Sequence, residues 1–236
     1  MKNVDPEDRD LSRLFYAPYK CRYKFYVKEE LQMCLKIKNI THIHFQGDSM
    51  SRDLFAAVSS YLGVKGVNED QLKHLTNVMK EKKLTTVADK VILSEGYSWD
   101  WTKEVMDIVN QPPYPQVVVS NFAFAHRAQE PMIMASLFDA TEGNFWKNDL
   151  KIEKPKYLFH QGAKDLHGKK DRTFLWSADN FRRGNEVLRQ KYDTLGFSLL
   201  DEFVITNGRL DNYGTRQDGW HFWGTMRLVC CFVFDL

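Results

Sequence analysis

Two short segments of this 236-residue chain hold side chains of the types and spacing that acyl transfer requires: Gly47-Asp48-Ser49 and Asp218-Gly219-Trp220-His221. A nucleophilic serine needs an exposed Oγ, backbone N–H donors for the developing oxyanion, and a base. Gly47 lets the chain turn sharply where a strand ends. Ser49, at the start of a helix, then lies among unpaired N–H groups at the positive end of the helix dipole, with Asp48 placed to cap that helix. In the second segment a carboxylate three residues before a histidine can bond the ring's Nδ1–H and leave Nε2 to take the serine proton. Each segment alone also fits a plainer role, Gly-Asp-Ser as turn and N-cap and Asp-x-x-His as a loop histidine. Their joint occurrence favours the chemical reading, because both fall on loops beyond the carboxyl ends of the expected strands, where open parallel sheets place their sites.

The elements that must position these residues are legible in the hydrophobic pattern. Residues 41–46 alternate with period two and run through the Gly-Asp-Ser turn into a helix-like stretch from Met50 to Leu62. Further short apolar runs at 90–94, 116–120, 173–177 and 198–205 read as strands. Between them the clearest helix covers 179–195, where Phe181, Val187, Leu188, Tyr192 and Leu195 share a face and Gly196 supplies a stop. Strands alternating with helices predict an α/β fold of three layers, α/β/α, around an open, mostly parallel sheet of about five strands. One domain is expected over 1–236, with 1–38 as a lead-in. Segment 156–172, rich in Gly, Lys and Asp between two apolar runs, is a candidate hairpin or loop insertion. Pro112-Pro113-Tyr114-Pro115 reads as a stiff loop before the third strand.

Composition narrows the function classes. A chain of this length with 43% hydrophobic residues can bury one substantial core. The formal net charge of +2 lacks the basic excess that phosphate-backbone binding demands, so nucleic acid is not an expected partner. No apolar run is long enough for a membrane span, and the charged residues from Lys2 to Asp10 leave no room for a signal-peptide core. Cys21, Cys34, Cys230 and Cys231 show no zinc-site spacing. Gly96-Tyr97-Ser98-Trp99-Asp100 lacks the closing glycine of the Gly-x-Ser-x-Gly elbow, and no Gly-rich phosphate loop is present. Asn39-Ile40-Thr41 matches a glycosylation sequon and leads directly into the first strand.

The run Phe45-Gln46-Gly47-Asp48-Ser49-Met50-Ser51-Arg52-Asp53-Leu54-Phe55, with Asp218-Gly219-Trp220-His221-Phe222, resembles the first and last motifs of the PC-esterase branch of the SGNH hydrolases. That branch includes neurexophilin-and-PC-esterase-domain proteins and plant polysaccharide O-acetyltransferases of the trichome-birefringence-like group. Cys34-Leu35 before the strand and Asn207-Gly208-Arg209-Leu210-Asp211 before the terminal motif are also similar. The resemblance implies the SGNH, flavodoxin-like topology. It implies Ser49 as nucleophile and oxyanion donor, His221 as base and Asp218 as its orienter, with no cofactor. Asn121, after Val117-Val118-Val119-Ser120, would complete the oxyanion hole. Gly96 is the candidate for the superfamily's second glycine, although the residues around it depart from that pattern. The implied activity is an esterase or carbohydrate O-acyl(acetyl)transferase that takes an acyl ester or donor and a carbohydrate acceptor, and the implied setting is the secretory pathway, where Cys21 and Cys34 could pair.

Other residues have two readings each. Arg52, one helical turn after Ser49, could bind substrate at the cleft or form an ordinary salt bridge. Trp220, inside the Asp-x-x-His loop, could stack on a sugar or simply be a buried aromatic, and His126 could reach the site mouth or be an ordinary loop histidine. His42 and His44 share a strand face, which favours interlayer packing over a metal site shared with Asp218 and His221. Lys80, Lys82 and Lys83 read as a solvated helix end. The rival functions are a catalytically silent carbohydrate- or protein-binding domain and a metal-dependent hydrolase.

Overall fold

The computed structural model describes residues 27–64, 83–88, 90–97, 103–122, 130–151, 156–160 and 178–200. Helix α1 (Lys28–Ile37) leads through a turn at Asn39 into β1 (His42–Gly47), and α2 (Ser49–Tyr61) follows at once. Strands β2 (Lys83–Ala88) and β3 (Val91–Tyr97) come next, then α3 (Lys103–Met106) with a 3-10 turn at Asp107–Asn110, and β4 (Val117–Ser120). Helix α4 (Pro131–Ala140), the short α5 (Glu142–Asn144) with a π turn at Phe145–Asp149, β5 (Lys156–His160), α6 (Ala178–Thr194) and β6 (Ser198–Leu200) complete the order.

Among the described residues the sheet has six strands in the order β2-β3-β1-β4-β5-β6, and every neighbouring pair is parallel except β2 with β3. The α/β class and the mostly parallel sheet match the sequence pattern. Two details differ from it. Lys156–His160 is not an arm of a hairpin insertion; it pairs parallel to β4 and β6. Lys83 is not a helix end but opens β2, which pairs antiparallel on β3. The expected strand at 173–177 lies outside the described residues.

β1 is buried along its whole length, as a central strand covered on both faces must be. Alternation sends Ile43 and Phe45 to one face, where Phe55 of α2 meets Phe45 edge to face with ring centroids 5.9 Å apart. The other face, that of Val118, carries an apolar cluster of Phe122, Met134, Phe138, Phe145, Trp146, Leu188, Tyr192 and Phe197 from the β4 end, α4, the π turn, α6 and its exit. Helices thus cover both faces. Gln116 pins the start of β1, its Oε1 accepting from Thr41 N–H, Thr41 Oγ1–H and His42 N–H at 3.0, 3.0 and 2.8 Å. At the end of α6, Gly196 takes φ +83° and the Phe197 N–H returns to the Tyr192 carbonyl, the stop expected of that glycine. Among the described residues no helix is long and apolar enough to cross a membrane.

Candidate functional site

β1 delivers the chain to the site through Gly47, whose φ is +151°. A Cβ there would lie 2.4 Å from Ser51 Oγ and 2.6 Å from the Asn121 carbonyl oxygen, so no side chain fits. The preceding carbonyl, of Gln46, accepts both the Asn121 backbone N–H at 2.8 Å and the Ser51 hydroxyl at 3.0 Å. The turn after β1, the first turn of α2 and the exit of β4 are therefore tied at one oxygen. Asp48 is buried, and its carbonyl accepts the Arg52 N–H at 3.1 Å, the first bond of α2. Ser49, described by its backbone alone, is the first residue of that helix.

The register places the other candidates around this point. Gln46 pairs with Gly96 of β3 on one side and Ser120 of β4 on the other. Ser49, Gly96 and Asn121 thus gather at the carboxyl ends of three adjacent parallel strands. Gly96 lies within β3 rather than after it, flanked by Gln46 and by Lys83 of β2. Asn121 is fully buried directly after β4. Arg52, read from the sequence as either a cleft residue or a salt-bridge partner, is 2% exposed, and the carboxylates of Asp48 and Glu95 are buried as well. Asp218, Trp220, His221 and His126 lie outside the described residues, as do Cys21, Cys230 and Cys231.

His42 and His44, expected from the sequence to pack between layers, lie beneath the turn with Ser94, which the sequence did not single out. On the face of β1 opposite Phe45, His42 Nδ1 meets the Pro113 carbonyl at 2.6 Å and His42 Nε2 meets Ser94 Oγ at 2.6 Å. Ser94 Oγ also meets His44 Nδ1 at 2.8 Å, and His44 Nε2 meets Gln46 Oε1 at 3.0 Å. All four ring nitrogens are thus engaged within the protein, and coordination of a metal by either histidine would break this ladder. The ring alternation His42, His44, Gln46 is visible in the sequence; the Ser94 link is not, because β3 is about fifty positions away.

A second buried cluster adjoins it through the pairing of Gln46 with Ser120. Glu142, fully buried, accepts from Ser120 Oγ–H at 2.5 Å, Trp146 Nε1–H at 2.8 Å and Tyr192 O–H at 2.6 Å. Three neutral donors converge on one carboxylate, which satisfies a charge that burial would otherwise penalise. Nothing local in Thr141-Glu142-Gly143-Asn144 announces this role.

No protein-family model matches the chain, and no curated protein matches it in sequence. Among solved structures it is similar to a DUF4886 family protein from Bacteroides uniformis, with a TM-score of 0.53 at 13% identity, covering 82% of this chain and 81% of that one. It is also similar to an acetyl xylan esterase, with a TM-score of 0.45 at 15% identity, covering 82% of this chain and 98% of that one. At these identities the first likeness is one of fold.

Proposed function

We propose that the chain is a serine-dependent esterase or carbohydrate O-acyltransferase that works through an acyl-Ser49 intermediate. The observation that carries this reading is the joint at Gln46: one carbonyl binds both the Asn121 N–H and the Ser51 hydroxyl, with Gly47 filling a gap that admits no side chain. The Asn121 bond is the last rung of the parallel β1–β4 ladder, whereas the Ser51 hydroxyl on the same oxygen and the closed gap at Gly47 are particular to this turn. Together they fix the start of α2 and the exit of β4, and oxyanion donors act through fixed placement.

In this mechanism the Ser49 Oγ attacks the acyl carbonyl while His221, oriented by Asp218, takes the hydroxyl proton. The oxyanion is received by the Ser49 N–H and the Asn121 side-chain amide; Gly96, paired on both sides within β3, is left to the sheet. Collapse of the tetrahedral intermediate expels the alcohol, which leaves with the proton from His221. Water or a sugar hydroxyl, deprotonated by the same histidine, then attacks acyl-Ser49 and releases the acid or the new ester. Trp220 is assigned to the sugar side of this site, by its place inside the Asp-x-x-His loop.

The test is intact-mass detection of a covalent adduct after exposure to a fluorophosphonate and, separately, to an activated acetyl ester, with Ser49→Ala as control. An adduct that vanishes in the variant supports the reading. No adduct on folded protein overturns it in favour of a silent binding domain.

A further inference from the structure

With the Gln46 oxygen facing His44, the ladder beneath the turn does not balance as a set of neutral groups. The Pro113 carbonyl can only accept, so the bond at 2.6 Å needs a proton on His42 Nδ1. Gln46 Oε1 can only accept, so the bond at 3.0 Å needs a proton on His44 Nε2. Between them stand two bonds to Ser94 Oγ, at 2.6 Å from His42 Nε2 and 2.8 Å from His44 Nδ1. A hydroxyl carries one hydrogen and can donate to only one ring. The other ring must donate to it, and that ring then holds protons on both nitrogens. With the Gln46 amide in this orientation, the arrangement requires one imidazolium.

A neutral ladder is also possible, in one way only. His42 keeps its Nδ1 proton and accepts from the Ser94 hydroxyl, which in turn accepts from His44 Nδ1–H. His44 Nε2 is then bare and must face a donor, so the Gln46 amide has to turn over and present its NH₂ group. The present orientation leaves Gln46 Nε2 buried with no hydrogen-bond partner among the described residues, so reversal breaks no bond of that nitrogen.

We propose that His42, Ser94, His44 and Gln46 form a one-proton switch beneath the Gly47–Ser49 turn, in which gain or loss of a single shared proton sets the orientation of the Gln46 amide. His42 is the entry, since it is 5% exposed while His44 and Gln46 are fully buried. The groups that the packed elements bring to this face are the Glu142 carboxylate and the Tyr192 phenol, joined to Ser120 beside Gln46. On α3 and its 3-10 turn, Lys103 pairs with Asp149 and Asp107 accepts from Asn110. Glu95 and Arg52 are buried on the opposite side, with α2. The switch lies in side chains, apart from the Gln46 backbone carbonyl that accepts from Asn121 and Ser51, and it does not depend on the acyl-serine reading.

The test is NMR of the full chain labelled with ¹⁵N at histidine and glutamine, titrated from about pH 5 to about pH 8. The expected result is loss of one proton from the His42/His44 pair at a single shared midpoint, with the Gln46 side-chain NH₂ resonances moving at the same midpoint. In Gln46→Glu a carboxylate has no NH₂ face to offer, so the midpoint rises by about 1 unit or more. Rings that stay neutral throughout, with an invariant Gln46 amide, would overturn the switch, as would a midpoint unmoved in a folded Gln46→Glu protein. Should that variant not fold, the wild-type titration decides by itself. A ladder that titrates in a protein that forms no Ser49 adduct refutes the proposed activity and leaves the switch standing; an adduct without the titration does the reverse.

Discussion

Gln46 and Asn121 are joined by a backbone hydrogen bond of 2.8 Å that fixes the exit of β4 against the turn after β1. Gly47 sits inside that joint, and its substitution is the direct way to open it. In Gly47→Ala the new methyl meets Ser51 Oγ at 2.4 Å and backbone oxygen at 2.6 Å, at a φ that disfavours a side chain. A loss of about 2 kcal/mol or more in urea unfolding is expected. Gly196→Ala is the matched control: φ is +83° but nothing lies within 4 Å, so only the left-handed cost of about 1 kcal/mol applies. Equal losses at the two positions would show that the joint is not tight.

Asn121 acts in the proposed site through its side-chain amide, whereas its fold contact to Gln46 is made by its backbone. Asn121→Ala should therefore slow acylation of Ser49 by about 10²-fold or more, with the substrate KM little changed. Stopped-flow release from an activated acetyl ester measures both. A rate within a few-fold of wild type would remove Asn121 from the oxyanion hole.

Ser49 and His221 are proposed to act as one unit, which makes their losses non-additive. Each alanine variant should cost about 10⁴-fold or more in turnover, and the double variant little beyond either one. Asp218→Asn should be comparably severe, because a carboxylate is needed to hold the imidazole tautomer. Strictly multiplicative losses in single-turnover assays would separate the two residues.

The parts of the fold that were legible in sequence are those decided by local pattern. β1, the turn and α2 announce themselves because a period-two run, a glycine and a helical run follow one another directly. The helix expected over 179–195 spans Ala178–Thr194, since its apolar face and its stop are both local. β2 was not legible, because Lys83-Leu84-Thr85-Thr86-Val87-Ala88 follows a lysine run and is a strand only by pairing with β3. β5 failed for a related reason: its flanks resemble a loop, and its partners β4 and β6 are remote in sequence. In the site, Gly47 and Asn121 could be picked from their places after strands. The Ser94 bridge and the Glu142 cluster could not, since two of the three donors to Glu142, Ser120 and Tyr192, stand 22 positions before it and 50 after it.

On the outer face of α6, Glu186 accepts from Arg189 Nη2 at 2.6 Å and from Gln190 Nε2 at 3.1 Å. The Arg189 hydrogen bonds, with that of Gln190 behind them, hold its carboxyl below the ordinary carboxylate range. A depressed folded pKa adds stability that is present above the unfolded pKa and lost as the pH falls through the folded one. The pair is exposed to solvent, so Arg189→Ala should cost no more than about 0.5 kcal/mol at neutral pH and nothing once Glu186 is protonated. Unfolding of both proteins at neutral and acid pH checks the sign, and a larger loss in acid would contradict it.

Glu142 should carry far more. Its two carboxylate oxygens hold Ser120, Trp146 and Tyr192 at full burial, and the last two belong to the main apolar cluster. Glu142→Ala strands three buried donors and opens a cavity, for an expected loss of about 3 kcal/mol or more. Tyr192→Phe removes one donor and keeps the ring packed edge to face on Phe138 and Phe197, so about 1 to 2 kcal/mol is expected. In the double variant Glu142→Ala/Tyr192→Phe the phenol is no longer present to be stranded, and the combined loss should fall short of the sum of the two single losses. Urea unfolding of the four proteins gives that coupling, and simple additivity would mean that the 2.6 Å bond contributes nothing to holding α6 against the sheet.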